Sequence, residues 1–502
     1  MHLPANGRKR KVCMNRTKRR TPEMCAEADR CLGNAAVPLA QDEIPVALLD
    51  NYRDLLRWAA AAGRAPLPPS VRRRVAELLV DELAALAAGL DDPDVGRLQE
   101  SFLRSVQGAA AHALTAKGPV PADPIDAAAA HAVAINWMEL DEGYLRASCH
   151  GALYTLPPLL ALAEADDVSL DEVLDLFAVA YEVTARLAET WPAARFTRHP
   201  HADWSAVGAA VARCLWLGHD AAMLQRAVDM AATLMLSGTY AAALSGARVR
   251  NLWAPAGIQL GMQVTVWAAM GIEGPAGGLP QLMSRMHDRA GEARHLTNGL
   301  GERWCVAATF NKPHACCQSL HTAIDAALEL RAGLAHAGDW PDGVAITVET
   351  PRLETAIAEP CNRLQAQFSM PHAVAAALVL GHADPPAFAP EALGDERITR
   401  LRERVVLEAW PAALAMPAAK PARIRLQLPG GALLQAEAHE ARGTAAAPLS
   451  PADILAKLER HAADRPGLAK LGRRLLEAPT SGVSWRALWR AALGLEPAGV
   501  PT

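Results

Sequence analysis

The stretch Arg423-Ile424-Arg425-Leu426-Gln427-Leu428-Pro429-Gly430-Gly431 alternates polar and apolar residues and then breaks into turn chemistry. Extended pattern resumes from Leu433 to Ala438. Side chains of a strand point to opposite faces in turn, and Pro-Gly-Gly supplies a reversal, so the segment predicts a β-hairpin. Upstream, Val344-Ala345-Ile346-Thr347-Val348 is another strand candidate. These strands stand in a chain that otherwise reads as helix. They predict a mainly α protein: a large all-helical domain plus a smaller α+β lid domain.

The helical reading rests on composition and spacing. Of 502 residues 51% are apolar, alanine is abundant, and aromatics make up only 5%. Alanine loses no side-chain entropy in a helix, and the residues that strands favour are sparse. Residues 46–62 carry apolar side chains at helical spacing. Pro69-Ser70 opens a second helix, in which Val71, Val75, Leu78, Leu79, Leu83 and Leu86 mostly fall three or four apart before Gly89. Residues 96–116, 124–138, 205–217, 221–235 and 256–270 extend the pattern. Ser169-Leu170-Asp171-Glu172 is a capping box that starts a helix to about Glu189, and Ser450-Pro451-Ala452-Asp453 caps another. The apolar run 231–246 is shorter than the roughly 18 residues of a membrane span and is expected to be a buried core helix. The expected organisation is a disordered basic tail over 1–44, the helical domain over 45–305 and the lid over 306–447. Helices of 448–502 return to the large domain.

Charge and cysteines narrow the classes of function. Net charge is −4, and no basic field covers the body of the chain, so nucleic acid is not an expected partner. Arg8-Lys9-Arg10-Lys11 and Lys18-Arg19-Arg20 are assigned to the tail. The nine cysteines include no C-x-x-C pair and no zinc spacing, so no metal site is expected from them. The N-terminal region lacks the apolar core of a signal peptide, and free thiols fit a reducing cytoplasm.

Chemistry concentrates in Phe310-Asn311-Lys312-Pro313-His314-Ala315-Cys316-Cys317-Gln318-Ser319-Leu320-His321, followed by a helix over 322–332. Pro313 keeps Lys312 off a regular helix, and a partly apolar pocket would lower its pKa towards neutrality. Asn136-Trp137-Met138-Glu139-Leu140-Asp141-Glu142-Gly143-Tyr144 sets three carboxylates at the end of an apolar helix, where the helix dipole disfavours them. They are either a solvated loop or partners that orient a histidine, and His150 follows closely. His199-Pro200 stands at the mouth of a small-residue helix, where an anion binds well. Arg250, between apolar helices, suits a carboxylate or a structural ion pair. His314 and His321 are local hydrogen-bond candidates.

Taken in order, these segments resemble the MmgE/PrpD family, which includes 2-methylcitrate dehydratase and cis-aconitate decarboxylase. The resemblance runs from about residue 46 to 495. It is carried by Leu78-Leu79-Val80-Asp81, by the acidic loop with His150-Gly151-Ala152, by His199 with residues 205–210, and by Lys312 to Asp325. Ala366-Gln367-Phe368-Ser369-Met370-Pro371-His372 adds to it. The resemblance implies a cofactor-free site between two domains, a homodimer, and a small polycarboxylate substrate. It places His150, His199 and Lys312 on positions that bind and deprotonate polycarboxylates, and Glu139 and Asp141 on the family's acidic loop; the expected catalytic set is His150, Lys312, His199 and Tyr144, with Arg250, Glu139, Asp141 and His321 as substrate-binding residues. The expected reaction is dehydration begun by removing the proton α to a carboxylate, with decarboxylation or epimerisation as alternatives. Glu142, Gly143 and Tyr144 depart from the usual residues of the acidic loop, Gly151 and Pro255 depart elsewhere, and Arg250 stands where many members carry lysine. These departures leave the substrate open. An all-α prenyl-diphosphate enzyme, suggested by Asp166-Asp167, and a non-catalytic binding protein are weaker readings. Lys312→Ala is expected to abolish turnover with little change in melting temperature.

Overall fold

A helix that is apolar on every side must be enclosed, and Pro124–Trp137 is such a helix, with every residue from Ala127 to Trp137 buried. A computed structural model describes residues 44–63, 65–103, 109–193, 197–334, 340–412, 420–477 and 482–495. The tail clusters at 8–11 and 18–20 lie outside the described residues. Around Pro124–Trp137 pack the helices Pro69–Leu90, Gly151–Asp166 and Trp253–Ala269, and the last of these crosses Pro200–Trp216. Helix Leu170–Thr190 packs on Pro200–Trp216. Ser169 accepts from the Glu172 amide, the serine half of the expected capping box.

The strands form a four-stranded mixed sheet in the order Val405–Ala409, Ala345–Thr350, Ala422–Gln427, Leu433–Ala438. The first pair is parallel and the others antiparallel. The predicted hairpin pairs Leu426 with Leu434 and Gln427 with Leu433. Helix His321–Ala332 lies on the two hairpin strands, beside helix Met370–Leu380. Helices Pro451–His461 and Pro466–Glu477 pack on Pro69–Leu90, and Trp485–Ala492 packs on Gly151–Asp166. Lys457 Nζ thereby reaches Asp81 Oδ1 at 2.7 Å and the Leu140 carbonyl at 2.9 Å.

Two expected helices are corrected. In 96–116 the helix spans only Pro93–Phe102, and Ala111–Thr115 pairs with Gly118–Ala122 as a hairpin. Gly118, at φ +112, makes the reversal, and Pro119 and Pro121 cannot donate to a helical ladder. In 231–246 the helix Ala221–Thr233 ends, and only the short helix Tyr240–Leu244 follows. Ser237, Gly238 and Thr239 break the run, and Leu234 is exposed. Among the described residues no helix is long and apolar enough to cross a membrane.

Candidate active site

The acidic loop and the lysine loop meet through a two-residue antiparallel bridge that pairs Gly143 with Phe310 and Tyr144 with Thr309. Several contacts hold the lysine loop in place. Arg74 donates to Thr309 Oγ1 and Asn311 Oδ1, at 2.5 and 2.6 Å. The Asn311 amide donates to the Gly443 carbonyl at 3.0 Å. Gly443 has φ +100, and a Cβ there would overlap the Asn311 carbonyl, so the residue after the hairpin has to be glycine. Further along, the Cys317 amide donates to the Gln367 carbonyl at 2.9 Å.

Lys312 therefore enters the protein instead of solvent. It is 1% exposed, and its ammonium lies 3.4 Å from Glu139 Oε2 and 3.5 Å from Asp141 Oδ1. Burial lowers its pKa, but the Asp141 and Glu139 carboxylates outweigh burial and hold it above the ordinary lysine value. The expected fall towards neutrality is thus corrected: Lys312 is a fixed cation, not a resting base. Glu139, Asp141 and Glu142 are all buried, so they are not a solvated loop. Glu139 has φ +54, the left-handed region, at the end of its helix.

Each carboxylate has a different partner. Glu139 pairs with Arg250 as well as with Lys312. Asp141 Oδ2 lies 2.8 Å from His150 Nδ1, which also lies 2.6 Å from the Glu142 carbonyl. A carbonyl only accepts, so Nδ1 carries a proton and Nε2 is the ring nitrogen left for a substrate. Burial opposes ionisation of Asp141, but the Lys312, His150 and Arg250 charges hold its carboxyl below the usual range. Glu142 accepts from the Ala152 amide at 2.8 Å and from Tyr181 at 3.2 Å, and burial pushes it up to about 8. Gly151 permits this packing, because a Cβ there would come within 2.6 Å of the Tyr181 ring.

Arg250 donates to Asn136 Oδ1 at 2.6 Å and to His199 Nε2 at 3.2 Å. Burial, then the charges of Arg250, His150 and Lys312, keep His199 neutral. His199 therefore steadies the guanidinium and is a poor proton donor. Tyr144 donates to Glu189 Oε2 at 2.6 Å and touches Cys305 Sγ at 3.4 Å. Burial, then Cys305 and Glu189, push its pKa up, so it too is a poor acid. His321 does not line the cavity. Its Nε2 lies 3.2 Å from the Cys316 carbonyl and its ring lies against Phe310 and His314.

A cavity with about 620 Å³ of empty space, partly open to solvent, gathers His150, His199, Tyr144, Arg250, Glu139 and Lys312. Asp141 sits behind it. Arg352, Lys420, Tyr240 and Phe368 complete the wall, and sequence reasoning missed them. No motif marks Arg352 or Lys420. His201 was also missed, although it stands two residues after His199. Its ring centroid is 4.8 Å from that of His150, its Nδ1 is 2.8 Å from the Tyr154 hydroxyl, and its buried Nε2 has no partner among the described residues.

Asp141, His150 and His201 bring ligand atoms within 4.8 Å of one another, a spacing open to a metal ion that no linear motif announced. The Lys312 ammonium, 3.5 Å from Asp141 Oδ1, competes for that carboxylate. The Arg250 charge also acts on it.

Comparison with known proteins finds two matches along the chain. The profile of the MmgE/PrpD N-terminal domain matches residues 53–279, and that of the MmgE/PrpD C-terminal domain matches residues 314–476. No curated protein matches the chain.

Proposed function

From the premise that this chain belongs to the MmgE/PrpD family, a group of generally dehydratase-like enzymes, we propose that it is a cofactor-independent lyase for a small di- or tricarboxylate. One observation carries the reading. Arg250, Lys312, Arg352 and Lys420 line the cavity with Glu139 as the sole carboxylate among its lining residues, next to an oriented histidine. Glu139, Asp141 and Glu354 pair with three of these cations, and the positive charge that remains favours a ligand that brings negative charge of its own.

In this reading Arg250 and Lys312 hold a substrate carboxylate. His150 Nε2, aligned by Asp141 on the opposite ring nitrogen, takes the proton α to it. Negative charge moves onto the carboxylate oxygens, where the two cations already stand, so little reorganisation is needed. The β-hydroxyl then leaves with the proton that His150 acquired, and water is lost across a new double bond. His199 and Asn136 keep the Arg250 guanidinium in register.

The test is proton NMR of hydroxylated di- and tricarboxylates with purified enzyme in deuterated water. Formation of an unsaturated acid supports dehydration. Exchange at the α carbon without elimination favours epimerisation, and loss of carbon dioxide favours decarboxylation. No change in any carboxylate tested overturns the lyase reading.

A further inference from the structure

Leu140 stands between Glu139 and Asp141, the two carboxylates that hold Lys312. Its carbonyl accepts from Lys457 Nζ at 2.9 Å, across 317 residues of sequence. The same ammonium donates to Asp81 Oδ1 at 2.7 Å, and Lys457, Asp81 and Leu140 are all buried. Lys457 comes from helix Pro451–His461, whose packing on helix Pro69–Leu90 brings it beside Asp81. The next residue of that helix gives the loop a second hold, since Glu82 Oε1 accepts from the Glu142 amide at 2.8 Å. Burial, then the charges of Asp141 and Glu142, push the Glu82 carboxyl well up, and Lys457 sets a positive charge among these carboxylates. The loop requires such holds. Glu139 has φ +54, a conformation that a residue with a side chain keeps only when its surroundings impose it. The Leu140 carbonyl belongs to the peptide that leads directly into Asp141, whose Oδ2 lies 2.8 Å from His150 Nδ1.

We propose that Lys457 is a positioning residue of the active site: through the Leu140 carbonyl it fixes the peptide that places Asp141 against His150 and Lys312. Helix Pro451–His461 then belongs to the catalytic apparatus and is more than packing on the large domain. The two bonds of the ammonium have separate roles. Asp81 balances the charge of a buried lysine, and breaking that pair acts on stability. The Leu140 bond sets geometry, and a displacement of about 1 Å in the group that aligns a base costs about a hundredfold in rate. The kinetic consequence rests on the lyase reading, whereas the placement of Asp141 against His150 does not.

The experiment compares Asp81→Asn, Lys457→Met and the double variant Asp81→Asn/Lys457→Met in the full-length protein. Its readouts are urea unfolding, steady-state kinetics, and proton NMR of the His150 Nδ1 proton, assigned by its disappearance in His150→Gln. Lys457→Met alone leaves Asp81 charged and unpaired and is expected to lower the unfolding midpoint, and the double variant, neutral at both positions, to recover it. The folded double variant is expected to show kcat about 100-fold below wild type, KM within about threefold, and the His150 proton moved upfield. Asp81→Asn, which keeps the Leu140 bond, is expected to stay within a few-fold of wild type in kcat. Wild-type kcat with an unmoved proton in the double variant overturns the proposal and makes the pair structural only. A loss confined to KM, or an equal fall in Asp81→Asn, overturns it as well. A wild-type protein that turns over no carboxylate overturns the lyase reading by itself. The His150 proton of the double variant then decides for Lys457 if it moves and against it if it does not.

Discussion

The Lys312 ammonium lies 3.4 Å from Glu139 Oε2, although 173 residues separate the two along the chain. Both side chains are almost wholly buried, and Asp141 and Arg250 extend the pair into a four-charge cluster. Removing one member of such a cluster leaves the others uncompensated in a poor solvent for charge. Lys312→Ala is therefore expected to lower stability by about 3–5 kcal/mol as well as to cut turnover by at least about a hundredfold. This replaces the sequence-based expectation of an unchanged melting temperature. Pairing it with Glu139→Gln is expected to recover much of the stability and none of the activity. Urea unfolding at one fixed pH measures both, and an unchanged midpoint in the single variant would refute the buried-cluster argument.

Asp141 acts on His150 Nδ1 at 2.8 Å and does not line the cavity. Asp141→Asn is expected to lower kcat about 10²- to 10⁴-fold by removing the negative charge that stabilises the imidazolium formed when His150 takes the proton, with KM changed by no more than about threefold. Steady-state kinetics on the substrate found by NMR decides it. A rise in KM at constant kcat would assign Asp141 to binding instead.

Glu142 is raised to about 8 by burial, so in the folded protein it holds a proton that the unfolded chain releases near its ordinary carboxylate value. The folded state then binds more protons than the unfolded one between those two values, and stability falls as pH rises through that window. Glu142→Gln, an isostere of the protonated acid, lacks this dependence. Its melting temperature relative to wild type is expected to climb from about pH 5 to about pH 8 and to level off above. A difference that is flat across the window would show that Glu142 is ionised in the fold.

Gly443 has φ +100, and the Asn311 carbonyl occupies the space of a Cβ. Gly443→Ala is expected to cost at least about 1–3 kcal/mol through backbone strain, and more if the segment at Asn311 shifts. Because Asn311 precedes Lys312, activity is expected to fall further than stability alone explains at a temperature where the variant is folded. Activity that simply tracks the folded fraction would separate Gly443 from the site.

Asp141, His150 and His201 have the spacing of a cation site, with the Lys312 ammonium set against it at 3.5 Å from Asp141. Chelation and dialysis are expected to leave turnover intact, and elemental analysis to find less than one equivalent of transition metal per chain. Activity lost to chelator and restored by zinc or iron would reverse this.

Local order was legible in the residues themselves. The hairpin of 422–438, the Ser169 and Ser450 caps and helix Val46–Ala62 follow from side-chain period, capping chemistry and turn residues, which act over a few neighbours. The same short range explains the misread segment 96–116, where a turn at Gly118 and its prolines outweighed an apolar period. Concentration of cations, imidazoles and carboxylates in a few segments was visible too. What those groups do to one another was not. Whether Lys312 gains or loses a proton depends on two carboxylates brought in by the Gly143–Phe310 bridge, and whether His199 accepts or donates depends on Arg250. His201, Arg352 and Lys420 became part of the cavity region only on folding. Helices and turns are set by contacts within a turn or two of the chain, whereas the charge state of a buried group is set by whatever distant side chains share its low-dielectric surroundings, and only the tertiary structure decides which those are.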